Sequence, residues 1–200
     1  MTCNNEPLVI IKGKTASWTL RWEDLPFIYK PITGITRAGG AVVTAVGHGV
    51  PDGWRVAVVS AGGMREINAK NWPLQDDDFH PATVLSSSTI ELNDVNSTDY
   101  RAWTSGGYLV YYTPVSLAGA TAAFQIRDPI DSATALVSIT QATGIAIDDT
   151  SKTITITLAA TATDDYDFET GEAELEITKS GVVTQLLRRS VVVEDEVVRP

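Results

Sequence analysis

Apolar and polar residues alternate along much of this 200-residue chain. Alternation at a spacing of two places successive side chains on opposite faces of a β-strand. Trp18, Leu20 and Trp22 follow a turn at Gly13 and are predicted to share one face of a strand. No long run of leucine, glutamate and lysine occurs at helical spacing. The pattern therefore predicts an all-β protein.

The length and spacing of the alternating segments change twice along the chain. Long alternating segments occupy the two ends, whereas residues 32–107 contain short strands separated by glycine-rich turns. We therefore predict that residues 1–31 and 108–200 form one Ig-like β-sandwich, split by an inserted small β-barrel at 32–107. Residues 8–24 are expected to supply the strand that pairs with residues 113–128, because neighbouring strands in sequence usually pair and none of matching character directly precedes 113.

Charge and cysteine content narrow the possible partners. The formal charge is −10 and the 15 lysines and arginines are scattered, which argues against nucleic acid as a partner. Cys3 is the single cysteine, so no internal disulfide and no cysteine-based metal site is expected. No apolar run approaches the roughly 20 residues that span a bilayer, so no membrane partner is expected.

Few residues suggest chemistry. His48 lies between two glycines of a predicted turn; a role as ligand or base is the alternative to a turn residue. Asp76–Asp78 with His80 could hold a divalent ion, but three consecutive acids are more typical of a solvated loop. Ser86–Ser88 lacks the glycine pattern of a nucleophile elbow, and no phosphate-binding glycine loop occurs. We predict a non-enzymatic protein with no catalytic residue, metal or cofactor.

The aromatic residues are better candidates for binding. The chain has five tryptophans, which is more than the hydrophobic cores of two small domains require. The alternative is that the tryptophans of the inserted segment cap its core. Aromatic residues and arginine are enriched where proteins dock. The interface candidates are Trp54, Trp72, Tyr100, Arg101 and Trp103.

Three stretches at the end of the chain resemble a β-sandwich of tailed-phage virion proteins, similar to the N-terminal domain of baseplate upper proteins. They are TPVSLAGATAAFQIRD (113–128), GIAIDDTSKTITITLAA (144–160) and GEAELEITKSGVVTQLLRRSVVV (171–193). About ninety residues more than the family pattern allows stand between Trp22 and Pro114, as expected for an insertion at a loop tip.

The inserted segment has a resemblance of its own. GHGVPDGWRV (47–56), GGMREIN (62–68) and STIELNDVNSTDY (88–100) resemble a small β-barrel module of phage structural proteins. That module is related to the first catalytic cysteine half-domain of ubiquitin-activating enzymes. The resemblance implies a packing unit and no ubiquitin chemistry, since Cys3 lies outside the segment.

The two resemblances imply a structural protein of a bacteriophage virion, assembled in the host cytoplasm. The expected role is a tail or baseplate adaptor that anchors fibres or other tail proteins, multimeric in the virion. Its sandwich would contact other virion proteins, and its barrel would be the more exposed part. The alternatives are a head decoration or collar protein and, from another class, a carbohydrate-binding module that stacks tryptophans on sugar rings.

Strand edges are the expected means of assembly. The strands within TITITLAA (153–160) and SVVVEDEVV (190–198) need edges that are covered, charged or paired. The second of these turns from apolar to acidic after Val193. It is therefore predicted to end at a subunit boundary rather than deep in a core.

Overall fold

The computed structural model describes residues 6–197, which form fifteen strands, one short helix (α1, Ala160–Asp164) and two 3-10 turns at Arg65–Ile67 and Asp76–Asp78. The predicted all-β class is confirmed. Cys3 lies outside the described residues. The strands are β1 (Leu8–Ile11), β2 (Ala16–Arg21), β3 (Glu23–Pro31), β4 (Gly34–Thr36), β5 (Ala41–Thr44), β6 (Arg55–Val59), β7 (His80–Ser86), β8 (Thr89–Leu92), β9 (Tyr108–Pro114), β10 (Thr121–Arg127), β11 (Val137–Thr140), β12 (Ile145–Asp148), β13 (Thr153–Leu158), β14 (Thr170–Lys179) and β15 (Val182–Glu194).

The chain divides into two compact units. The split unit comprises Met1–Trp22 and Ser116–Pro200, and the inserted unit comprises Glu23–Val115. Glu23 of β3 and Pro114 of β9 are paired residues of one antiparallel ladder. The chain therefore enters and leaves the inserted unit at adjacent points.

The split unit is a β-sandwich. Its five-stranded sheet has the order β1-β15-β14-β10-β11, and its three-stranded sheet has the order β12-β13-β2. Side chains from both sheets, among them Phe124, Leu175, Ile154 and Ile156, are buried in one hydrophobic cluster. Trp18, Leu20 and Trp22 pack against that cluster, which confirms that they share one face.

The strand partners in the split unit differ from those expected. Of residues 113–128, Thr113 and Pro114 pair with Asp24 and Glu23 as part of the inserted sheet, but β10 does not pair with residues 8–24, because it lies between β14 and β11. Instead β1 pairs in parallel with β15, and β2 pairs with β13. As a result β13 lies between β12 and β2, and β15 is covered by β1 over Val191–Glu194, so the edges that were expected to be covered, charged or paired are paired there. Val191 and Val193 of β15 are buried, whereas β1 lies at the sheet edge.

The inserted unit is a seven-stranded sheet in the order β3-β9-β6-β7-β8-β5-β4. One buried cluster collects side chains from along the sheet, including Val43 of β5, Val58 of β6 and Leu109 of β9. Ile28 of β3 and Ile35 of β4, on the two terminal strands, pack against the same cluster. The sheet therefore curls around its core in the manner of a small barrel.

The unit boundaries lie outside those predicted. Residues 23–31 and 108–115 belong to the inserted unit rather than to the sandwich. The reason is that β3 and β9 pair with each other and β9 pairs with β6, so both strands complete the inserted sheet. Two prolines are tolerated in β3, because Pro26 lies at the irregularity between Asp24 and Phe27 where the ladder shifts register, and Pro31 is the last residue of the strand.

Candidate binding surfaces

A groove of about 390 Å³ on the inserted unit brings together exposed aromatic side chains. Trp72 is 78% exposed, and Tyr29 and Tyr108 are each nearly half exposed. Lys70 and Asn71 lie on the same groove. The volume falls in the range of about 300–1,000 Å³ that is typical of ligand sites. We call this surface the Trp72 groove.

The loop that carries Trp72 is held in place by the buried carboxylate of Asp78. Asp78 is 4% exposed, and its Oδ1 accepts the backbone N–H groups of Lys70 (2.7 Å) and Asn71 (3.2 Å). Its Oδ2 accepts the backbone N–H of Gln75 at 2.9 Å. These three bonds bracket Trp72 in sequence and fix the loop on both sides of it.

The hydrogen bonds also decide the ionisation of Asp78. Burial by itself raises the pKa of this carboxyl, because the charged form loses water. The backbone N–H groups of Gln75, Lys70 and Asn71 stabilise the charged form by more than this. The net effect is a pKa below the usual value for aspartate, so Asp78 is ionised at neutral pH.

Asp78→Asn is expected to destabilise the inserted unit by about 1–3 kcal/mol at neutral pH. The substitution replaces one carboxylate oxygen by an NH₂ group, which cannot accept the hydrogen bond of a buried backbone N–H. The folded pKa lies below the unfolded value of about 3.9, so the stabilisation is complete above about pH 5 and is lost as the pH falls through the folded pKa. Urea unfolding of both chains over a pH series measures this difference. Equal stabilities at neutral pH, or a difference that grows on acidification, would contradict it.

Tyr29 and Tyr108 reach the groove from two paired strands. Tyr29 of β3 pairs with Val110, so Tyr108 is its diagonal neighbour on β9. The two rings meet edge to face with their centroids 6.2 Å apart. Both residues were missed at the level of sequence, because they are far apart in the chain and only the β3–β9 pairing brings them together.

The edge strand β1 is the second candidate surface, and it belongs to the split unit. Its side chains alternate: Ile10 is fully buried, whereas Val9 and Ile11 are 44% and 41% exposed. Within residues 6–197, β1 pairs with β15 on one side and with no strand on the other. A strand edge with outward apolar side chains is a surface on which a second chain can add.

The five predicted interface residues have different environments. Trp54 is fully buried in the core of the inserted unit, so it cannot anchor a surface contact, and this prediction is wrong. Its side chain takes a core position because Trp54 directly precedes β6, which lies in the middle of the sheet. Trp72 is the most exposed of the tryptophans in the described chain.

The remaining three candidates lie together in the loop before β9. Tyr100 and Trp103 are half-buried and pack against the core of the inserted unit. The indole Nε1 of Trp103 donates to the carbonyl of Gly106 at 3.0 Å. Arg101 is exposed, and its Nε lies 3.3 Å from Oε1 of Glu66. The contacts of Tyr100 and Trp103 agree with the alternative interpretation, in which aromatic residues of the inserted segment cap its core.

Both histidines make specific contacts with their surroundings. His48 is buried: its Nε2 lies 2.8 Å from the carbonyl oxygen of Ser86, and its Nδ1 accepts the N–H of Val50 at 3.1 Å. The hydroxyl of Tyr111 donates to the His48 carbonyl oxygen. His80 lies on β7, with Nδ1 3.0 Å from Oδ1 of Asp94. The contacts of His48 tie its glycine turn to β7 and β9.

Arg55, which is half-buried, connects the acidic residues Asp76–Asp78 to the sheet of the inserted unit. Arg55 donates to both carboxylate oxygens of Glu23 at 2.5–3.0 Å, and its Nη1 donates to Oδ1 of Asp76 at 2.9 Å. The guanidinium also lies 4.9 Å from the ring centre of Tyr112 and 5.3 Å from that of Phe79. Burial lowers the pKa of Arg55, but the two carboxylates raise it by more.

The three consecutive acids therefore have three different roles. Asp76 binds Arg55, Asp77 accepts the side-chain amide of Asn71 at 3.1 Å, and Asp78 holds the groove loop. Among residues 6–197, no group of three or more histidine, cysteine, aspartate or glutamate side chains has the arrangement of a metal site. No helix in that range is long and apolar enough to cross a membrane.

Comparison with known proteins adds no relative: no protein-family profile matches the chain, and no curated protein matches it.

Proposed function

We propose that the chain is a structural component of a bacteriophage virion, a tail or baseplate adaptor that binds other virion proteins through its split unit. The observation that carries the proposal is the edge of β1, where Val9 and Ile11 face outward beside an unpaired backbone in the described sheet. An edge of this kind favours a protein partner, because backbone hydrogen bonds and apolar side chains can be satisfied together.

Two further features support this role. The β-sandwich and the curled inserted sheet agree with the folds implied by the two resemblances of the sequence. In addition, the chain enters and leaves the inserted unit at paired residues, so a second unit can be carried without interrupting the ladders of the sandwich. Such an arrangement is suited to an adaptor that offers one surface to the particle and another to a second ligand.

The double substitution Val9→Lys, Ile11→Lys is expected to reduce incorporation into particles at least about tenfold, because two ammonium groups would have to lose water in an apolar contact. Particles assembled by a phage lacking the gene, complemented with either chain, are purified and the amount of chain per particle is measured by mass spectrometry. The substituted side chains are exposed, so the free chain should keep its melting temperature.

The matched control is Val182→Lys, Val183→Lys, which introduces the same charges at the exposed tip of the β14–β15 hairpin in the same unit. This control should be incorporated normally. Incorporation of the β1 variant at the wild-type level would overturn the role of the edge. Absence of the wild-type chain from purified particles would overturn the virion assignment itself.

A further inference from the structure

The backbone groups on the free side of β1 are determined by its pairing with β15. The N–H of Lys12 donates to the carbonyl of Glu194 at 2.9 Å. Because the backbone groups of alternate residues in a strand point to the same side, those of Val9 and Ile11 point away from β15. Within residues 6–197 no strand pairs with that side of β1. The N–H and carbonyl groups of Val9 and Ile11 are therefore available to a further strand.

These backbone groups are self-complementary in one antiparallel register. When the β1 strands of two copies of the chain pair about a two-fold axis through Ile10, Val9 of each copy lies opposite Ile11 of the other. Two opposite residues whose N–H and carbonyl groups face each other exchange both hydrogen bonds. Every available group of Val9 and Ile11, in both copies, is satisfied in this register.

The neighbouring registers of self-pairing leave groups without partners. One shift places Val9 opposite Val9 of the copy and Ile11 opposite Pro7, which has no N–H to donate. The opposite shift places Val9 opposite Gly13, where φ is +71° and the chain has already left the strand. A slip by a single residue would turn the outward side chains of one copy toward the inward side chains of the other. The sequence around β1 therefore favours a single register.

The side chains on the outer face agree with this register. Val9 and Ile11 are 44% and 41% exposed, and the half-buried Val192 of β15 lies beside Val9 on the same face. In the pair, Val192, Val9 and Ile11 of the copy form one apolar row. Covering these side chains removes apolar surface from water, which is favourable by roughly 25 cal/mol per Å².

The edge of β1 lacks the usual protection against such pairing. Many edge strands carry lysine or proline, but Leu8–Ile11 contains neither. The lysine that follows directly, Lys12, interacts with its own chain, since its Nζ lies 3.3 Å from Oδ1 of Asp195. The edge can therefore accept a second copy of itself.

We infer that two free copies of the chain cover each other's β1 edge as a two-fold antiparallel pair, and that this pair separates when the edge binds another virion protein. A two-fold contact uses the β1 edge of both copies, so association through this edge stops at a dimer. The inference rests on the proposed function, because it assigns a partner to the same edge before assembly.

The dimer is expected to be weak. β1 has four residues, so the contact is smaller than the roughly 1,200–2,000 Å² that stable interfaces bury. We expect a dissociation constant between about 1 µM and 1 mM. A contact of this strength covers the edge at high concentration and gives way to a partner that binds more tightly.

Sedimentation velocity of the full chain across that concentration range, with a reducing agent present, tests for the dimer. The wild-type chain should change from monomer to dimer as its concentration rises. Val9→Lys, Ile11→Lys should stay monomeric, because ammonium groups would lose water at the contact. Val182→Lys, Val183→Lys, with the same charges at the tip of the β14–β15 hairpin, is the matched control and should dimerise like the wild type. At the lowest concentration all three chains should be monomeric and melt at the same temperature.

Paired cysteines test the register in a chain that carries Cys3→Ser. A mixture of Val9→Cys and Ile11→Cys chains should form a disulfide on oxidation, because opposite residues with Cα atoms about 5.5 Å apart can be bridged. Either variant alone should cross-link at least about tenfold more slowly, since its two cysteines would be diagonal neighbours about 7–8 Å apart. The same mixture in purified particles should form no such disulfide, because β1 then binds another protein.

Each part of the inference has an outcome that would overturn it. A wild-type chain that stays monomeric at every concentration, or a lysine variant of β1 that dimerises normally, would contradict the dimer. Faster cross-linking of Val9→Cys alone than of the mixture would contradict the register. Cross-linking of the mixture in particles would contradict the separation. The solution measurements use no phage, so their failure leaves the proposed function to be decided by incorporation of the chain into particles.

Discussion

Trp54→Ala should unfold the inserted unit under conditions in which the wild-type chain is folded. Trp54 is fully buried in the cluster that joins the strands of this unit, so its loss leaves a large cavity. Truncation of a buried tryptophan costs about 3–5 kcal/mol, a large part of the 5–15 kcal/mol that stabilises a typical domain. Urea unfolding followed by circular dichroism measures the change without depending on the tryptophan signal.

Trp72→Ala is the control, since it removes the same side chain from an exposed position. It should change the free energy of unfolding by no more than about 0.5 kcal/mol. If Trp54 were a surface anchor, the two substitutions would have similar small effects on the free chain. That result would contradict the core position of Trp54.

Arg55→Met is expected to destabilise the inserted unit by about 2–3 kcal/mol. This loss is smaller than that expected for a fully buried ion pair, because the Arg55 guanidinium keeps some contact with water. Glu23 has a side chain that is only 10% exposed, and it would lose three hydrogen bonds from Arg55. Asp76 would lose its bond as well. The penalty arises mainly from a carboxylate left without a partner at a poorly solvated position.

Two comparisons isolate this cause. Adding Glu23→Gln to Arg55→Met removes the unpaired charge and should recover part of the lost stability. Arg101→Met breaks a pair in which the arginine side chain is 69% exposed, and it should cost no more than about 1 kcal/mol. Equal losses for Arg55→Met and Arg101→Met in urea unfolding would show that burial of the Glu23 pair contributes nothing.

The alternation of residues was sufficient to predict the class of fold and the faces of single strands. Trp18 and Leu20 lie on one side of β2 because side chains alternate in any strand, whatever its partner. The change in the length and spacing of the alternating segments also indicated an inserted segment. The predicted boundaries, however, lay inside those of the inserted unit. The prolines of β3 concealed a strand whose pairing with β9 is visible only in the folded chain.

Pairing between distant segments explains what the sequence could not predict. Nothing near β15 indicates that β1 will cover one of its sides, so the sequence did not show which strand forms the edge of the sheet. Similarly, Trp54 and Trp72 both lie close to turn residues, and only the sheet order distinguishes a core position from a surface one. Asp78 looked like part of a solvated run because its partners are backbone N–H groups, which have no sequence signature.

The most direct test of the central claim is a lysine cross-linking map of purified particles. We predict that cross-links to other virion proteins fall on Lys12 and Lys14, which follow β1 directly, whereas Lys30 and Lys70 of the inserted unit react with a single-ended reagent but form no such cross-links. Cross-links to neighbouring proteins that are confined to Lys30 and Lys70, or the absence of the chain from the particles, would contradict the account.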